Sequence, residues 1–529
     1  MRPGRGGEVT GVGAPRPLWE RPVGAVSMAL ASGLLLALAL PPRPYPWLAW
    51  VGLVGLLLAV RTASRWRASL LGLLTGALYA LASVYWVEGT MVRFGPLPVW
   101  LAAAATLLLA LYMGGYTALW AAVAPGVIRR HRHTAPVWLA TAWVALEWLR
   151  THLFGGFGWA HLGYTQATTP AILQLAEVGG VFAISWLIVA VNAALAATVC
   201  HLAGRRPHAI QPQLLAAVAV VFAVVAFGEV RLAAIRATPL RATLGVALIQ
   251  GNVPEGEKWD PARREEILHR YLSMSEGVGE GAARLIIWPE AAIPYLLQGS
   301  PQLEQLLRQV CARTGADLIF GGLWRDPTDQ SYRNSAYAIT AAAGVAGRYD
   351  KLHLVPFGEY VPLARLFAFV RSITAEIGDF RPGTEPTLLP VAGERVGCPI
   401  CFEVTYPWLT RAFARGGATL LATVTNDAWF GTSVAPRQHL NIAAVRCVES
   451  RLPMVRAANT GITAVIDAGG QIVAEAREFE TTTLTATVPL RDLPPTLYTR
   501  IGEGWLVALL IAWGLAEARR EKEKAGSRK

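Results

Sequence analysis

The stretch Val396-Gly-Cys-Pro-Ile-Cys-Phe-Glu403 is a short apolar run that carries Cys401 near its end. Its Cys398 and Cys401 form a C-x-x-C pattern, which suggests redox or metal chemistry. In an extended strand, however, residues three apart lie ~10 Å apart on opposite faces, whereas a disulfide needs Cα atoms within about 7 Å. No second Cys/His pair in the sequence completes a zinc site. We therefore expect a strand whose Cys398 belongs to the core and whose Cys401 is reactive.

Two charged residues upstream also follow β-like runs. Glu290 stands in Trp288-Pro-Glu-Ala-Ala-Ile-Pro294, and Lys351 stands in Tyr349-Asp-Lys-Leu-His353. Acyl transfer through a thiol needs a thiolate, a group that manages its proton, and donors for the developing oxyanion. Cys401, Glu290 and Lys351 can supply these if the strand ends converge, although a lone Glu or Lys at a strand end is most often solvated surface.

These residues lie in a region where strand and helix patterns alternate, which predicts a layered α/β domain with two sheets and covering helices. The predicted strands are Thr243–Ile249, Ala283–Trp288, Asp317–Gly321, Ser335–Thr340, Val345–Tyr349, Thr387–Val391, Arg395–Ile400, Thr419–Val424, Val455–Ala458, Thr463–Ile466 and Gln471–Ala474. The predicted helices are Pro261–Met274, Leu303–Arg313, Pro407–Ala414 and Pro436–Arg451.

The first part of the chain has a different texture. With 529 residues, 53% hydrophobic residues and a mean hydropathy of +0.38, the chain is too apolar for one soluble domain. Six runs lack Asp, Glu, Lys and Arg, and most reach the length that crosses a bilayer: 23–40, 44–60, 68–87, 94–128, 178–200 and 209–228. Residues 134–149 and 501–517 are shorter candidates. We predict about eight transmembrane helices, seven before the α/β domain and one after it.

Basic residues predict the orientation of these spans. The formal net charge is +12, yet in residues 236–500 the 26 Lys and Arg balance 26 Asp and Glu. The excess positive charge lies in alternate connections and in the C-terminal tail, so we expect both termini in the cytoplasm and the α/β domain outside. A nucleic-acid-binding protein would need a basic face on that domain, and the domain is neutral.

Two polar residues near the spans leave alternatives open. Glu177 lies near the start of a span, where a carboxylate is either functional or an ordinary residue at a helix end. The glycine-rich, aromatic loop Phe154–Tyr164 contains Trp159 and His161 and suits the bilayer interface. His161 is a ligand candidate, although a lone histidine in such a loop is more often not a ligand.

Four motifs together produce a resemblance. Three of them resemble the Glu-Lys-Cys triad of the nitrilase superfamily: Trp288-Pro-Glu290, Asp350-Lys-Leu-His-Leu-Val-Pro-Phe-Gly-Glu359 and Cys401-Phe-Glu403. With Asn426-Asp-Ala-Trp-Phe-Gly431 and the flanking spans, nearly the whole chain is similar to the membrane-anchored apolipoprotein N-acyltransferase family of bacteria. The resemblance implies a nitrilase-like αββα sandwich joined to the α-helical membrane domain.

The resemblance also implies roles for individual residues. Glu290 is then the general base, Lys351 stabilises the oxyanion, and Cys401 carries the acyl thioester. Glu359 matches the additional active-site glutamate of the family, and Glu403 matches the essential glutamate after the nucleophile.

Other matched positions surround this set. Trp259 matches a functionally important tryptophan, whereas Phe402 stands where a tyrosine is common. Trp429, Phe430 and Trp159 are candidates for the lipid path. Pro362–Val370 is a candidate lid segment, although any of these apolar segments is equally compatible with ordinary core.

The reaction implied by the resemblance transfers an acyl chain from a membrane phospholipid to Cys401, and then to the N-terminal amine of diacylglyceryl-cysteine in an apolipoprotein. This completes lipoprotein maturation. It implies a multi-pass protein of the bacterial inner membrane with its catalytic domain on the periplasmic face. We expect a monomer that needs no metal or other cofactor and binds no nucleic acid.

The domain boundaries that follow are a cytoplasmic tail over 1–22, a membrane domain over 23–234, a catalytic domain over 235–497, a last helix over 498–517 and a basic cytoplasmic tail over 518–529. Two other functions remain as alternatives. A membrane-tethered amidase acting on soluble amides would share the triad but leave the spans unexplained. A transporter would explain the spans but not the triad-like motifs.

Overall fold

The computed structural model describes residues 17–95, 97–203, 212–356, 358–360 and 380–526. Within them the first part of the chain is helical. Its α-helices are Pro22–Ala39, Ala49–Gly52, Val54–Val60, Arg65–Val84, Trp86–Phe94, Val99–Arg130, Ala135–His152, Pro170–Leu173, Ala176–Ala203 and Pro212–Ala237.

Among the described residues, five helices are long and apolar enough to cross a membrane: Pro22–Ala39, Arg65–Val84, Val99–Arg130, Ala176–Ala203 and Pro212–Ala237. These five correspond to five of the eight predicted spans, and the count of eight stays a prediction for the other three.

Each of the other three predicted spans departs from a long apolar helix for a visible reason. The span predicted over 44–60 breaks at Leu53, whose N–H donates to Asn192 Oδ1 over 2.8 Å. The helix Ala135–His152 carries two charged residues, and the helix Gly504–Gly526 is strongly charged in its second half.

Small residues allow two of the long helices to pack closely. A Cβ on Gly76 would lie 2.6 Å from Thr117 Cβ, and a Cβ on Gly114 would lie 2.6 Å from the backbone nitrogen of Ala77. Close approach of backbones over small residues is a common way for membrane helices to associate, because it maximises van der Waals contact. These glycines therefore allow the helix Arg65–Val84 to pack closely on the helix Val99–Arg130.

The α/β domain contains two six-stranded sheets. The strands are β1 (Ala242–Gln250), β2 (Leu285–Ile287), β3 (Asp317–Arg325), β4 (Tyr332–Thr340), β5 (Gly344–Asp350), β6 (Leu389–Val391), β7 (Glu394–Gly397), β8 (Leu420–Thr425), β9 (Met454–Ala458), β10 (Ala464–Ile466), β11 (Ile472–Glu475) and β12 (Thr482–Leu490). The sheet orders are β12-β1-β2-β3-β4-β5 and β11-β10-β9-β8-β7-β6.

Each sheet has a parallel centre, β1-β2-β3 in the first sheet and β7-β8-β9 in the second, with antiparallel strands at its edges. Every residue of β8 is buried, as expected for a central strand covered on both faces. The covering helices are Arg264–Glu276 and Pro301–Thr314 on the first sheet and Pro407–Arg415 and Ala435–Ser450 on the second. The predicted αββα sandwich is therefore confirmed.

The structure differs from the sequence-based prediction at two strands. β12, which closes one edge of the first sheet against β1, was not predicted. It is a threonine-rich, half-exposed strand, and Pro489 within it is tolerated at an edge. The strand predicted over Arg395–Ile400 ends at Gly397, because Pro399 has no N–H for the ladder, and Ile400 makes only an isolated bridge to Val424.

A buried ion pair and a buried hydrogen bond join the helical part to the sandwich. Arg451 follows the helix Ala435–Ser450 in the left-handed region (φ 56°) and contacts Glu177 over 2.5 Å. Arg231, which lies in the helical part as Glu177 does, also contacts this carboxylate, over 2.8 Å. Glu449 accepts a hydrogen bond from the backbone N–H of Val181 over 2.8 Å. Of the two alternatives for Glu177, this geometry supports a structural residue at a helix end.

Candidate active site

The ends of β2 and β5 bring together the charged residues singled out in the sequence. Lys351 comes directly after β5, and its Nζ lies 3.3 Å from Glu290 Oε1 and 3.0 Å from Glu359 Oε1. Lys351 is 1% exposed and Glu290 is 7% exposed. A buried ammonium is stable only when it is paired, and here two carboxylates from different segments pair with it.

Two asparagines complete the surroundings of Glu290: Asn334, which the sequence did not single out, and Asn426, which begins the motif over 426–431 but had no assigned role. Asn334 Nδ2 donates to Glu290 Oε1 over 2.7 Å and to Glu359 Oε1 over 2.8 Å. The backbone N–H of Asn426 donates to Glu290 Oε2 over 3.0 Å. Asn334 lies on β4, which pairs with β5, and no local pattern in the sequence singles it out.

Cys401 begins the 3-10 helix Cys401–Thr405 after the Ile400 bridge, and its backbone adopts φ 53°. A non-glycine residue in this region is held there by its surroundings and is common at active sites. Cys401 is 8% exposed, whereas Cys398 is fully buried in the core. Both thiols are free.

The charges around Cys401 set its resting state. Burial, reinforced by the negative charge of Glu290, raises the pKa of the Cys401 thiol, against the opposite effect of Lys351. Burial alone would raise the pKa of Glu290, but Lys351 and the Asn334 hydrogen bond outweigh it and hold that pKa below its usual value. At neutral pH the site therefore holds a neutral thiol beside an ionised carboxylate.

Lys351 stays charged in this site. Burial by itself would lower the pKa of Lys351, but Glu359 and Glu290 outweigh burial and raise it. A permanently charged ammonium can stabilise a negative charge that develops during a reaction without having to acquire a proton first.

The hydrogen bonds of Glu403 go to two backbone segments and a tyrosine instead of to Glu290 or Lys351. Its carboxylate accepts hydrogen bonds from the backbone N–H of Leu352 over 2.7 Å, of His353 over 2.9 Å and of Ile400 over 2.8 Å. Tyr349 OH donates to it as well, over 2.9 Å. Glu403 thus ties the end of β5 to the turn that carries Cys401.

Trp259 lies at the rim, 44% exposed, with its Nε1 3.4 Å from Glu255 Oε1. Its neighbour Lys258 is fully buried. Lys258 Nζ donates to the backbone oxygen of Glu290 over 3.4 Å and lies 3.5 Å from Glu255 Oε2. Sequence reasoning chose Trp259 and missed Lys258, because no pattern in the short helix Glu255–Lys258 indicates which side chain points inward.

An aromatic cluster connects the Cys401 turn to the helical part of the chain. Trp159 stacks on Phe402 with ring centroids 5.9 Å apart, and Phe430 contacts both Trp159 and Trp86. Trp429 is half-buried and packs on Phe94, the last residue of the helix Trp86–Phe94, with ring centroids 4.6 Å apart. The candidate lipid-path residues are thus adjacent to one another.

Two other sequence candidates have different outcomes. The lid segment Pro362–Val370 lies outside the described residues. His161 is fully buried, with Nδ1 3.1 Å from Arg150 Nη2 and Nε2 3.2 Å from Thr151 Oγ1. Both ring nitrogens therefore have protein partners. In the parts of the chain described, no group of three or more His, Cys, Asp and Glu side chains is placed to hold a metal ion.

Comparison with known proteins gives matches over almost the whole chain. Residues 32–194 match the family described as apolipoprotein N-acyltransferase N-terminal domain, and residues 245–497 match carbon-nitrogen hydrolase. An apolipoprotein N-acyltransferase of Geobacter metallireducens is 37% identical over 90% of this chain and 91% of its own length. One of Ralstonia nicotianae is 36% identical over 92% of each chain.

Among solved structures, Saccharomyces cerevisiae Nit3, a member of branch 10 of the nitrilase superfamily, is 20% identical. The match covers 48% of this chain and 92% of Nit3, with a TM-score of 0.37.

Proposed function

Because this chain belongs to the apolipoprotein N-acyltransferase family, we propose that it transfers an acyl chain from a membrane phospholipid to an apolipoprotein through a thioester on Cys401. The observation that carries this proposal is the buried Lys351, ion-paired with Glu290 and Glu359 and close enough to interact electrostatically with Cys401. The acceptor is the N-terminal amine of a diacylglyceryl-cysteine.

In the first step the sulfur of Cys401 attacks an ester carbonyl of the phospholipid. The S–C bond forms while the thiol proton passes to Glu290, and the carbonyl oxygen becomes an oxyanion that Lys351 stabilises. The ester C–O bond then breaks, and the departing lysophospholipid oxygen takes the proton from Glu290. The raised pKa of the thiol supports this order, since the proton must leave as the bond forms.

In the second step the neutral amine of the apolipoprotein attacks the thioester carbonyl. The N–C bond forms and the S–C bond breaks. Glu290 takes a proton from the amine and returns it to the thiolate of Cys401, so the enzyme regains its resting state. Both steps use the same three groups, because each passes through a tetrahedral oxyanion at the same carbon.

The helical part of the chain supports a membrane location for this chemistry. Both proposed substrates carry acyl chains, and moving one ~15-methylene chain into water would cost roughly 12 kcal/mol at about 0.8 kcal/mol per CH₂. A catalytic domain held at the bilayer by apolar helices on its N-terminal side avoids that cost. A single copy supplies every residue named above, so we propose a monomer.

Basic segments support a proposed orientation. The positively charged connections contain Arg61, Arg65 and Arg67 in one case and residues 129–132 in another, and the positively charged tail is 519–529. By the positive-inside rule they lie in the cytoplasm. The domain over residues 235–497 then lies on the periplasmic face of the inner membrane.

Mass spectrometry of the intact protein after mixing with phospholipid tests the proposed nucleophile. The wild type should gain one acyl group, Cys401→Ala should gain none, and Cys398→Ala should lose only packing and still gain it. Addition of a diacylated lipopeptide should then remove the acyl group from the wild type. An adduct that survives Cys401→Ala but disappears in Cys398→Ala would overturn the assignment.

A further inference from the structure

His439 lies directly behind the nucleophile, on the helix Ala435–Ser450. It is fully buried, and its Nε2 lies 3.0 Å from the backbone oxygen of Cys401. Its Nδ1 lies 3.1 Å from Arg456 Nη2 and 3.3 Å from Asp427 Oδ1. None of the steps proposed above uses this histidine.

The neighbours of His439 determine which ring nitrogen carries the proton. An arginine only donates hydrogen bonds, so Arg456 requires Nδ1 to accept. Asp427 Oδ1 already accepts from the hydroxyl of Thr425 over 2.8 Å, and Asp427 Oδ2 pairs with Arg456 over 2.6 Å. A backbone carbonyl only accepts hydrogen bonds, so the proton is on Nε2, which donates to the carbonyl of Cys401.

This hydrogen bond orients the peptide unit between Cys401 and Phe402. In a trans peptide the C=O and the following N–H point in opposite directions. His439 belongs to a helix on the outer face of the second sheet, whereas Glu290 and Lys351 come from the first sheet. A carbonyl held toward His439 therefore directs the N–H of Phe402 toward the side on which the two charged residues lie.

We propose that His439 is a positioning residue, which holds the carbonyl of Cys401 so that the N–H of Phe402 donates to the oxyanion together with Lys351. Cys401 is the first residue of a short 3-10 helix and has φ 53°, a backbone conformation that its surroundings must hold, and the His439 donor is one of the contacts that hold it. The inference rests on the proposed acyl transfer at Cys401.

Two reactions of the same thiol separate this role from general structural support. Acylation by p-nitrophenyl butyrate forms the S–C bond through an oxyanion, passes the thiol proton to Glu290 and releases p-nitrophenolate. Alkylation by iodoacetamide displaces iodide at a saturated carbon and forms no oxyanion. A lost oxyanion donor costs ~10²–10³ in rate and should affect the first reaction alone.

The informative variants are His439→Phe, which keeps a ring but removes the donor, and His439→Gln, which keeps an N–H donor of similar reach. His439→Phe should lower the acylation rate by ~10²-fold and leave alkylation within about twofold of wild type. His439→Gln should recover most of the acylation rate. Cys447→Ala, a buried change on the same helix, serves as the control for packing.

Equal loss of both reactions in His439→Phe would overturn the positioning role, as would unchanged acylation or a His439→Gln rate no better than that of His439→Phe. The phospholipid reaction is measured in parallel. A wild type that accepts butyrate but not phospholipid contradicts the proposed donor alone, and the butyrate rates still decide the role of His439. A wild type that accepts neither overturns both proposals.

Discussion

Lys351 and Lys258 both contact Glu290, and both are almost completely buried. Lys351 contacts the carboxylate, whereas Lys258 contacts the backbone oxygen of the same residue. Each positive charge favours the ionised carboxylate and so lowers the pKa of Glu290, while burial acts in the opposite direction. The pKa of Glu290 thus depends on burial, which raises it, and on the two lysines, which lower it.

Lys258→Met should therefore raise the pKa of Glu290. A base acts only when it is deprotonated, so the acidic limb of the acylation rate should move to higher pH, and the rate at pH 5 should fall relative to that at pH 8. Lys258→Arg keeps the charge and should retain the wild-type profile. Acylation rates between pH 4 and 9 measure this, and superimposable profiles for Lys258→Met and wild type would contradict it.

Glu403→Gln tests the tie between the end of β5 and the Cys401 turn. In the wild type, three backbone N–H groups and Tyr349 OH share the two carboxylate oxygens of Glu403. The glutamine amide has only one oxygen to accept from them, and its NH₂ group is itself a donor that would face backbone N–H groups. An unsatisfied buried donor costs about 1–3 kcal/mol, so thermal unfolding should occur at lower temperature and acylation should fall. Glu359→Gln, which changes a carboxylate beside Lys351, should lower acylation with less effect on stability. The reverse order of stabilities would show that Glu403 is not the tie.

At the scale of elements, the short 3-10 helix Asp427–Phe430 connects the site to the helical part. Its first residue pairs with Arg456, and its last two pack on rings of the helix Trp86–Phe94. Thr90 on that helix donates to the backbone oxygen of Trp429 over 2.7 Å. A displacement of the helix Trp86–Phe94 would therefore displace the 3-10 helix Asp427–Phe430, and the reverse also holds.

Trp429→Glu should impair acylation by phospholipid, because a carboxylate on an aromatic lipid path is costly to desolvate. Acylation by the small ester p-nitrophenyl butyrate should change much less, since that substrate does not need the lipid path. Val345→Glu, a change at an exposed position of β5, is the control. Equal rates with phospholipid for Trp429→Glu and wild type would exclude the lipid-path role.

At the scale of the whole molecule, the excess of positive charge lies outside the catalytic domain. The 26 basic and 26 acidic residues of 236–500 cancel, so the net charge of +12 lies in the membrane connections and tails. Such an excess is a signal for membrane orientation, and it leaves the catalytic domain without the basic field that nucleic-acid binding requires.

Cysteine labelling in intact cells tests the orientation. A membrane-impermeant maleimide should label Arg477→Cys, an exposed position in the catalytic domain, and should label Glu521→Cys only after the cells are permeabilised. The parent protein corrects for labelling of the five native cysteines. Labelling of Glu521→Cys in intact cells would invert the proposed topology.

Much of this protein follows from local sequence patterns. Uncharged runs predicted the long apolar helices, because hydrocarbon thickness dictates their length. Short apolar runs that alternate with helix patterns predicted the central strands β1, β3 and β8, since a strand buried on both faces must be apolar along its length. Placement directly after such strands singled out Glu290, Lys351 and Cys401 as candidates, because strand ends meet at an edge.

Only the tertiary structure decided the rest, since it depends on contacts between residues far apart in the chain. Asn334, Lys258 and His439 carry no local signature, and their relation to the site appears only when separate segments pack together. The apolar residues of β12 alternate with threonines, a pattern typical of a half-exposed strand, but its pairing with β1 appears only in the structure. Local pattern thus determined which segments are buried, and long-range packing determined what each buried polar group contacts.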